Sequence, residues 1–250
     1  MDTQAIQEAA KLLVAARRTG VPIVTLPPRC APPTIDAAHA IQDATVALLG
    51  DAVAGWKVAL AEDGAVMRGV LLRSGVVASP ARLRAADVPL LGVEAEIAFT
   101  FDHALPPRGS DYSYAEVAAA VTAMPVIEVV DSRFTSYRDT PLFHRLADFM
   151  SNGAFVRGSP RPDWRQHDLA QLHVTLTVDG RGIADRVGGH PVRDPLLPAV
   201  DLVNHLRTRG GVTAGQVMTT GSYTGLNHAA PGQSVVATFE GFGSAQVTFA

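Results

Sequence analysis

The chain has a single cysteine, Cys30, in 250 residues. It cannot close an internal disulfide, and a reducing compartment such as the cytoplasm is expected. Long apolar runs are missing as well. The first twenty residues are interrupted by Asp2, Glu8, Lys11, Arg17 and Arg18, which argues against both a signal peptide and a membrane span. Positive charge is not in excess. With a formal net charge of −3 the chain lacks the basic surface that tracks a phosphate backbone, so no nucleic-acid partner is expected. No glycine-rich stretch has nucleotide-loop spacing, and Gly241–Gly243 is not followed by a helical pattern. Charged residues make up 18%, below the usual quarter or so, which implies a large buried fraction and surface left for contacts between subunits.

Two acidic strand patterns stand out. From Val93 to Phe101 the residues alternate, placing Val93, Ala95, Ile97, Phe99 and Phe101 on one face and Glu94, Glu96, Ala98 and Thr100 on the other. Glu94 and Glu96 then point the same way with Cα atoms roughly 7 Å apart, two strand steps of about 3.3 Å. A half-exposed strand with a wet acidic face is the commoner origin of such a pair. The second pattern, Val126–Phe134, argues otherwise, because Glu128 sits in an apolar β-branched run where an unpaired carboxylate is costly. Three carboxylates on two buried strands are the oxygen donors a hard ion such as Mg²⁺ or Mn²⁺ prefers.

The remaining chain gives an outline. Apolar spacing predicts helices over Thr3–Arg18 and from Thr34 to Gly50, separated by the proline-rich piece Pro22–Pro33. Gly55–Leu60 reads as a short strand that puts Lys57 opposite Trp56 and Val58. A snorkelling edge lysine is the commoner case there. The segment from there to Leu91 reads as loop with short apolar bursts. Ser113 and Glu116 form a capping box that starts a helix through about Met124. Strands follow at Ala154–Val156, at Leu172–Val178 with its return to Val187, and at Gln216–Thr219, Ser234–Phe239 and Ala245–Phe249, with a helix over Pro195–Arg209. Hairpins outnumber βαβ units, so an α+β fold is expected: an antiparallel or mixed β-roll with an N-terminal helical pair and peripheral helices. Residues 1–50 form the helical segment and 51–250 the roll, as one structural unit.

Five pieces occur in one order: Gly55-Trp56-Lys57, Gly92-Val93-Glu94-Ala95-Glu96, Ile127-Glu128 through Asp131-Ser132-Arg133, Ala147-Asp148 through Ser151-Asn152-Gly153 to Gly158, and Gly221-Ser222 through Gly225. In this ordered set the chain resembles the 2-keto-4-pentenoate hydratase branch of the fumarylacetoacetate hydrolase superfamily, over nearly its whole length. The resemblance implies a mixed β-roll or sandwich of that superfamily's C-terminal type, one Mg²⁺ or Mn²⁺, and a homo-oligomer. It puts Glu94, Glu96 and Glu128 on the metal and makes Lys57 the active-site lysine. Asp131 and Arg133 support the site, and Ser151 and Ser222 border the substrate. The implied reaction adds water to a small unsaturated 2-oxo acid. Decarboxylation of a vinylogous 2-oxo diacid comes second, then acylpyruvate-type C–C hydrolysis, or a non-catalytic homologue.

One departure concerns the partner of Lys57. The residues after it, Val-Ala-Leu-Ala-Glu-Asp-Gly, differ from the branch's usual segment, leaving Glu62, Asp63 and Asp87 as candidates. Arg133 and Arg145 could meet a distal carboxylate of a diacid. A hydrolase would need a histidine paired with a carboxylate, and His39 is the one histidine placed for it. His144, His190, His205 and His228 lack metal-ligand spacing and are expected to be structural or exposed.

Overall fold

A computed structural model describes residues 1–250. The chain opens with helices α1 (Thr3–Thr19) and α2 (Ile35–Leu49). Asp2 and Thr34 accept the first free backbone N–H groups through their side chains, and Gly20 and Gly50 end the helices in the left-handed conformation that a glycine adopts without strain. Strands β1 (Val53–Leu60), β2 (Val66–Leu72), β3 (Val76–Ala78) and β4 (Ala81–Leu83) follow. Three of them lie in the segment whose pattern reads as loop. They are short and broken by Gly64, Gly69, Gly75 and Pro80, which erased any period-2 signal.

The middle of the chain holds β5 (Gly92–Phe101), α3 (Tyr114–Ala119), β6 (Val121–Val130), α4 (Leu142–Ala147) and β7 (Asn152–Arg157). The capping box at Ser113 and Glu116 is present, but the helix stops at Ala119 rather than running to Met124. Residues 121–124 are instead the start of β6, because pairing Val121 with Phe101 and Met124 with Ala98 extends the ladder along the whole of β5. Tertiary pairing overrides the local helical preference there. The last part comprises β8 (His173–Val178), β9 (Arg181–Val187), α5 (Leu196–Leu206), β10 (Val217–Ser222), β11 (Asn227–His228), β12 (Ser234–Phe239) and β13 (Gly243–Phe249).

Two sheets result. The larger runs β2-β1-β10-β5-β6-β7-β3 with β11 added at β5, and the smaller runs β4-β13-β12-β8-β9. Both mix parallel and antiparallel pairs, since β1–β10, β3–β7 and β4–β13 are parallel. The main core gathers Val93, Ala95, Ile97, Phe99 and Phe101 with α5 and the inner residues of β8, β12 and β13. Behind β5 and β6 lies a second apolar layer of Leu71, Ala98, Met124, Val126, Phe155 and Val217. The acidic face of β5 is therefore an interior surface, and the half-exposed strand that its alternation suggests does not form. The N-terminal helices cover β2 and α4 through Leu13, Ile41, Met67 and Leu146. The buried Gln42 amide ties them together. Its nitrogen donates to the carbonyls of Arg68 and Leu146, and its oxygen accepts from Val70 N. No helix is long and apolar enough to cross a membrane.

Candidate metal and active site

Strands β5 and β6 pair antiparallel with Glu94 directly opposite Glu128, while Glu96 is one step further along the same face. Like charges placed directly opposite on a sheet repel. Here the chain adds a third, and one oxygen from each of Glu94, Glu96 and Glu128 lies within 4.8 Å of the other two. Glu96 is 3% exposed and Glu128 1%.

Lys57 enters this cluster from β1. Its Nζ donates to Glu128 Oε1 at 2.5 Å and to the carbonyl of Met150 at 3.0 Å. The lysine is no snorkelling edge residue, since β1 is flanked on both sides by β2 and β10. Glu62 is exposed, Asp63 accepts from Ala65 N in a turn, and Asp87 lies 3.7 Å from Arg84. None of these three candidates reaches Lys57, whose partner is Glu128.

Burial, and then the charge of Glu128, raises the Glu94 carboxyl to about 7 and the Glu96 carboxyl to about 8. Burial by itself lowers the Lys57 ammonium. The charges of Glu128, Glu94 and Glu96 and the hydrogen bond to Glu128 outweigh that, so its pKa stands above the ordinary lysine value. With all three carboxylates ionised, as cation binding requires, one ammonium would leave two negative charges in a buried place. Glu128 Oε2 is buried with no hydrogen-bond partner. A divalent cation fits this donor set in charge, in oxygen chemistry and in having an unsatisfied buried acceptor to bind.

The surrounding polar groups hold the carboxylates. Thr219 Oγ1 donates to Glu96 Oε2, the Ser222 hydroxyl bonds Glu94, and Asn152 Nδ2 lies 3.3 Å from Glu128 Oε1. Thr219 and Asn152 were not singled out from sequence. Thr219 ends the strand predicted over Gln216–Thr219, two residues before Gly221-Ser222, and Asn152 stands between Ser151 and Gly153. Ser151 is buried with its Oγ unpartnered. Residues Phe149, Met150 and Ser151 all take left-handed backbone angles, with φ of 54°, 51° and 59°. For side chains with a Cβ this costs roughly 1–2 kcal/mol each, and the turn presents the Met150 carbonyl to Lys57. Gly69 makes room for it. A Cβ at Gly69 would sit 2.6 Å from the Phe149 carbonyl oxygen and 2.8 Å from Lys57 Cγ.

Arg133 does not face the carboxylate trio with a spare fork. Its Nε donates to both oxygens of Asp148, Nη1 to Asp131, and Nη2 to the carbonyls of Asp131 and Asn152. Asp131 also accepts from Leu90 N at 3.0 Å. This pair clamps the ends of β6 and β7, and Arg133, bonded through all three nitrogens, keeps one Nη1 hydrogen and no fork for a distal carboxylate. Arg145 stacks over Tyr137. His39 accepts from Arg68 N at 3.0 Å, and burial together with the charge of Arg68 lowers it to about 3. It is a neutral scaffold group on the outer side of β2. His144 and His190 are buried, His205 is half-buried, and His228 is exposed.

No family model matches the chain. It is 30% identical over 159 residues to the 4-oxalocrotonate decarboxylase of Pseudomonas putida, an alignment that spans 63% of this chain and 59% of that protein. It is 28% identical over 261 residues to the 2-keto-4-pentenoate hydratase of Burkholderia vietnamiensis, covering 99% of this chain and 98% of that one. Among solved structures, 4-oxalocrotonate decarboxylase from Pseudomonas putida G7, complexed with magnesium and adipate, superposes with a TM-score of 0.87 at 22% identity, over 100% of this chain and 99% of that one. The chain is thus a homologue of the 2-keto-4-pentenoate hydratases and 4-oxalocrotonate decarboxylases, built on the fumarylacetoacetate hydrolase fold.

Proposed function

We propose that the chain is a divalent-metal-dependent lyase that adds water to a small unsaturated 2-oxo (2-hydroxydienoic) acid, giving a 4-hydroxy-2-oxo acid. The observation that carries this reading is the convergence of three carboxylates from paired strands, with one ammonium, that of Lys57, among them. Glu94, Glu96 and Glu128 would hold Mg²⁺ or Mn²⁺. Such an ion supplies Lewis-acid stabilisation of negative charge at the substrate's 2-oxo oxygen.

The protein's own groups do the rest. Lys57 Nζ is the acid/base group, anchored by Glu128 and the Met150 carbonyl so that one of its protons is directed at a carbon of the substrate. The free hydroxyl of Ser151 and that of Ser222, which bonds Glu94, orient the substrate. Asp131, Arg133 and Asp148 keep β6 and β7 in place. Burial of Glu96 and Glu128 limits the access of bulk water to the site.

Decarboxylation of a 2-oxo diacid is the second reading, favoured by the likeness to 4-oxalocrotonate decarboxylase over the whole fold. Hydration ranks first because Arg133 is committed to Asp131, Asp148 and Asn152 and offers no guanidinium fork to a second carboxylate. We place the enzyme in the cytoplasm as a homo-oligomer. Its one cysteine is free and buried, and Val21, Val24 and Val187 are exposed apolar side chains available to neighbouring copies.

The test is incubation with 2-hydroxypenta-2,4-dienoate and with 2-oxohex-3-enedioate, following ultraviolet loss and CO₂ release. Consumption of the first substrate without CO₂ is expected, falling at least 100-fold in Glu96→Ala. CO₂ from the second would establish decarboxylation. Equal rates in the wild type and the variant would remove the carboxylate trio from the chemistry.

A further inference from the structure

A cavity of about 680 Å³ lies apart from the carboxylate trio. It opens between the last turn of α1, the residues before β5 and the loop 131–135, and neither Lys57 nor any of the three glutamates lines it. Four guanidinium groups border it, those of Arg17, Arg18, Arg84 and Arg133, against two carboxylates, Asp87 and Asp131.

Most of the unsatisfied groups are cationic, the exposed Asp87 being the one carboxylate without a hydrogen bond. Asp131 is engaged by Leu90 N and Arg133, and all but one Nη1 hydrogen of Arg133 are taken up as described. Arg17 donates Nη2 to Asp148 at 2.8 Å, but its Nε and Nη1 have no protein acceptor, although the side chain is only 14% exposed. Arg18 gives one nitrogen to the Leu48 carbonyl. The Arg84 guanidinium makes no hydrogen bond and stands 3.7 Å from Asp87. Burial and the neighbouring charge of Arg133 lower Arg17 to about 10, the mark of a cation lacking enough negative charge around it. A helix C-terminus favours basic residues, which accounts for cations in the last turn of α1. It does not account for Arg84, which arrives from a different segment.

We infer that this cavity binds a small molecule carrying two acidic groups, carboxylates or phosphates, held by Arg17, Arg18 and Arg84. Guanidinium forks match both anions, and the volume is that of a small-ligand pocket. The site is distinct from the proposed catalytic one and does not depend on that reading. Asp148 nevertheless connects them, since it binds Arg17 and immediately precedes the left-handed turn that holds Lys57.

The experiment is isothermal titration of the EDTA-treated full chain at low ionic strength, with glutarate as the dicarboxylate probe and pyrophosphate as the phosphate probe. At least one probe should bind at one site per chain. Arg18→Ala/Arg84→Ala, altering two outward-reaching side chains, should weaken it at least tenfold, while Arg82→Ala, an exposed arginine outside the cavity, should leave it within twofold. The probe that binds more tightly identifies the acid group. Absence of binding by both, undiminished binding in the double variant, or an equal loss in Arg82→Ala would each overturn the inference.

Discussion

Replacing Lys57 by methionine keeps the length of the side chain and deletes the one positive charge among three buried carboxylates. In the native protein its Nζ lies 2.5 Å from Glu128 Oε1, with side-chain exposures of 12% and 1% for the pair. Removing one partner of a buried pair costs about 3–5 kcal/mol, because the other charge is left uncompensated. For a chain of this size each kcal/mol shifts the melting temperature by roughly 2–4 °C, so a fall of about 6–20 °C is expected for the metal-free variant at pH 8. Two further results are expected from the same cause. The fall should shrink at pH 5.5, where the abandoned carboxylates take up protons. Mg²⁺ should also raise the melting temperature of the variant more than that of the wild type, because a cation supplies the missing charge, while leaving the variant inactive. Thermal unfolding with EDTA and with Mg²⁺ at both pH values measures all of this. A metal-free variant as stable as the wild type at pH 8 would refute the idea that the ammonium neutralises this cluster.

Gly69→Ala tests the left-handed turn. The added methyl collides with the Phe149 carbonyl and Lys57 Cγ, and a displacement of about 1 Å costs on the order of 100-fold in rate. We expect kcat to fall by about that factor, with Mg²⁺ affinity changed less than threefold. A kcat within twofold of wild type would show that the turn does not position Lys57. The carboxylates also set a pH dependence. Burial and the charge of Glu128 hold Glu94 at about 7 and Glu96 at about 8 in the folded metal-free chain, against 4.5 for a free glutamate. Between about 4.5 and 8 the folded state therefore holds more protons than the unfolded one, so metal-free stability falls as pH rises through that window. Mg²⁺ affinity should climb over pH 6–8.5 with release of protons, measurable by titration calorimetry in buffers of different ionisation enthalpy. Metal-free stability that is flat from pH 5 to 8.5 would contradict the raised values.

Much of this architecture could be read before any coordinates. The alternation of Val93–Phe101 identified the face that enters the main core, and the lone Glu128 in an apolar run marked a carboxylate that needs a partner. Local pattern failed where pairing over distance decides the outcome. Residues 121–124 have helical neighbours and a capping box upstream, yet they complete the ladder to β5. Strands β3 and β4, three residues each, are too short to alternate visibly, and each is held by a strand distant in sequence, β3 by β7 and β4 by β13. The second apolar layer behind β5 comes from five strands and has no signature in any one of them.

The partner of Lys57 shows the same limit at the scale of one residue. Sequence proximity favours Glu62 and Asp63, while the fold delivers Glu128, 71 positions away, because β1, β10, β5 and β6 lie side by side in one sheet. The turn at Phe149–Ser151 is harder still, since three consecutive left-handed residues without a glycine contradict every local preference. What holds them is Asp148 beneath, Lys57 on the Met150 carbonyl, and an empty space at Gly69. Local strain of this kind persists only when its surroundings over-determine it. The place where sequence reasoning fails is therefore the place where the fold has spent stability to aim a carbonyl and a hydroxyl. A side chain at position 69 and a relaxed turn at 149–151 should be tolerated together only in a chain that has given up Lys57.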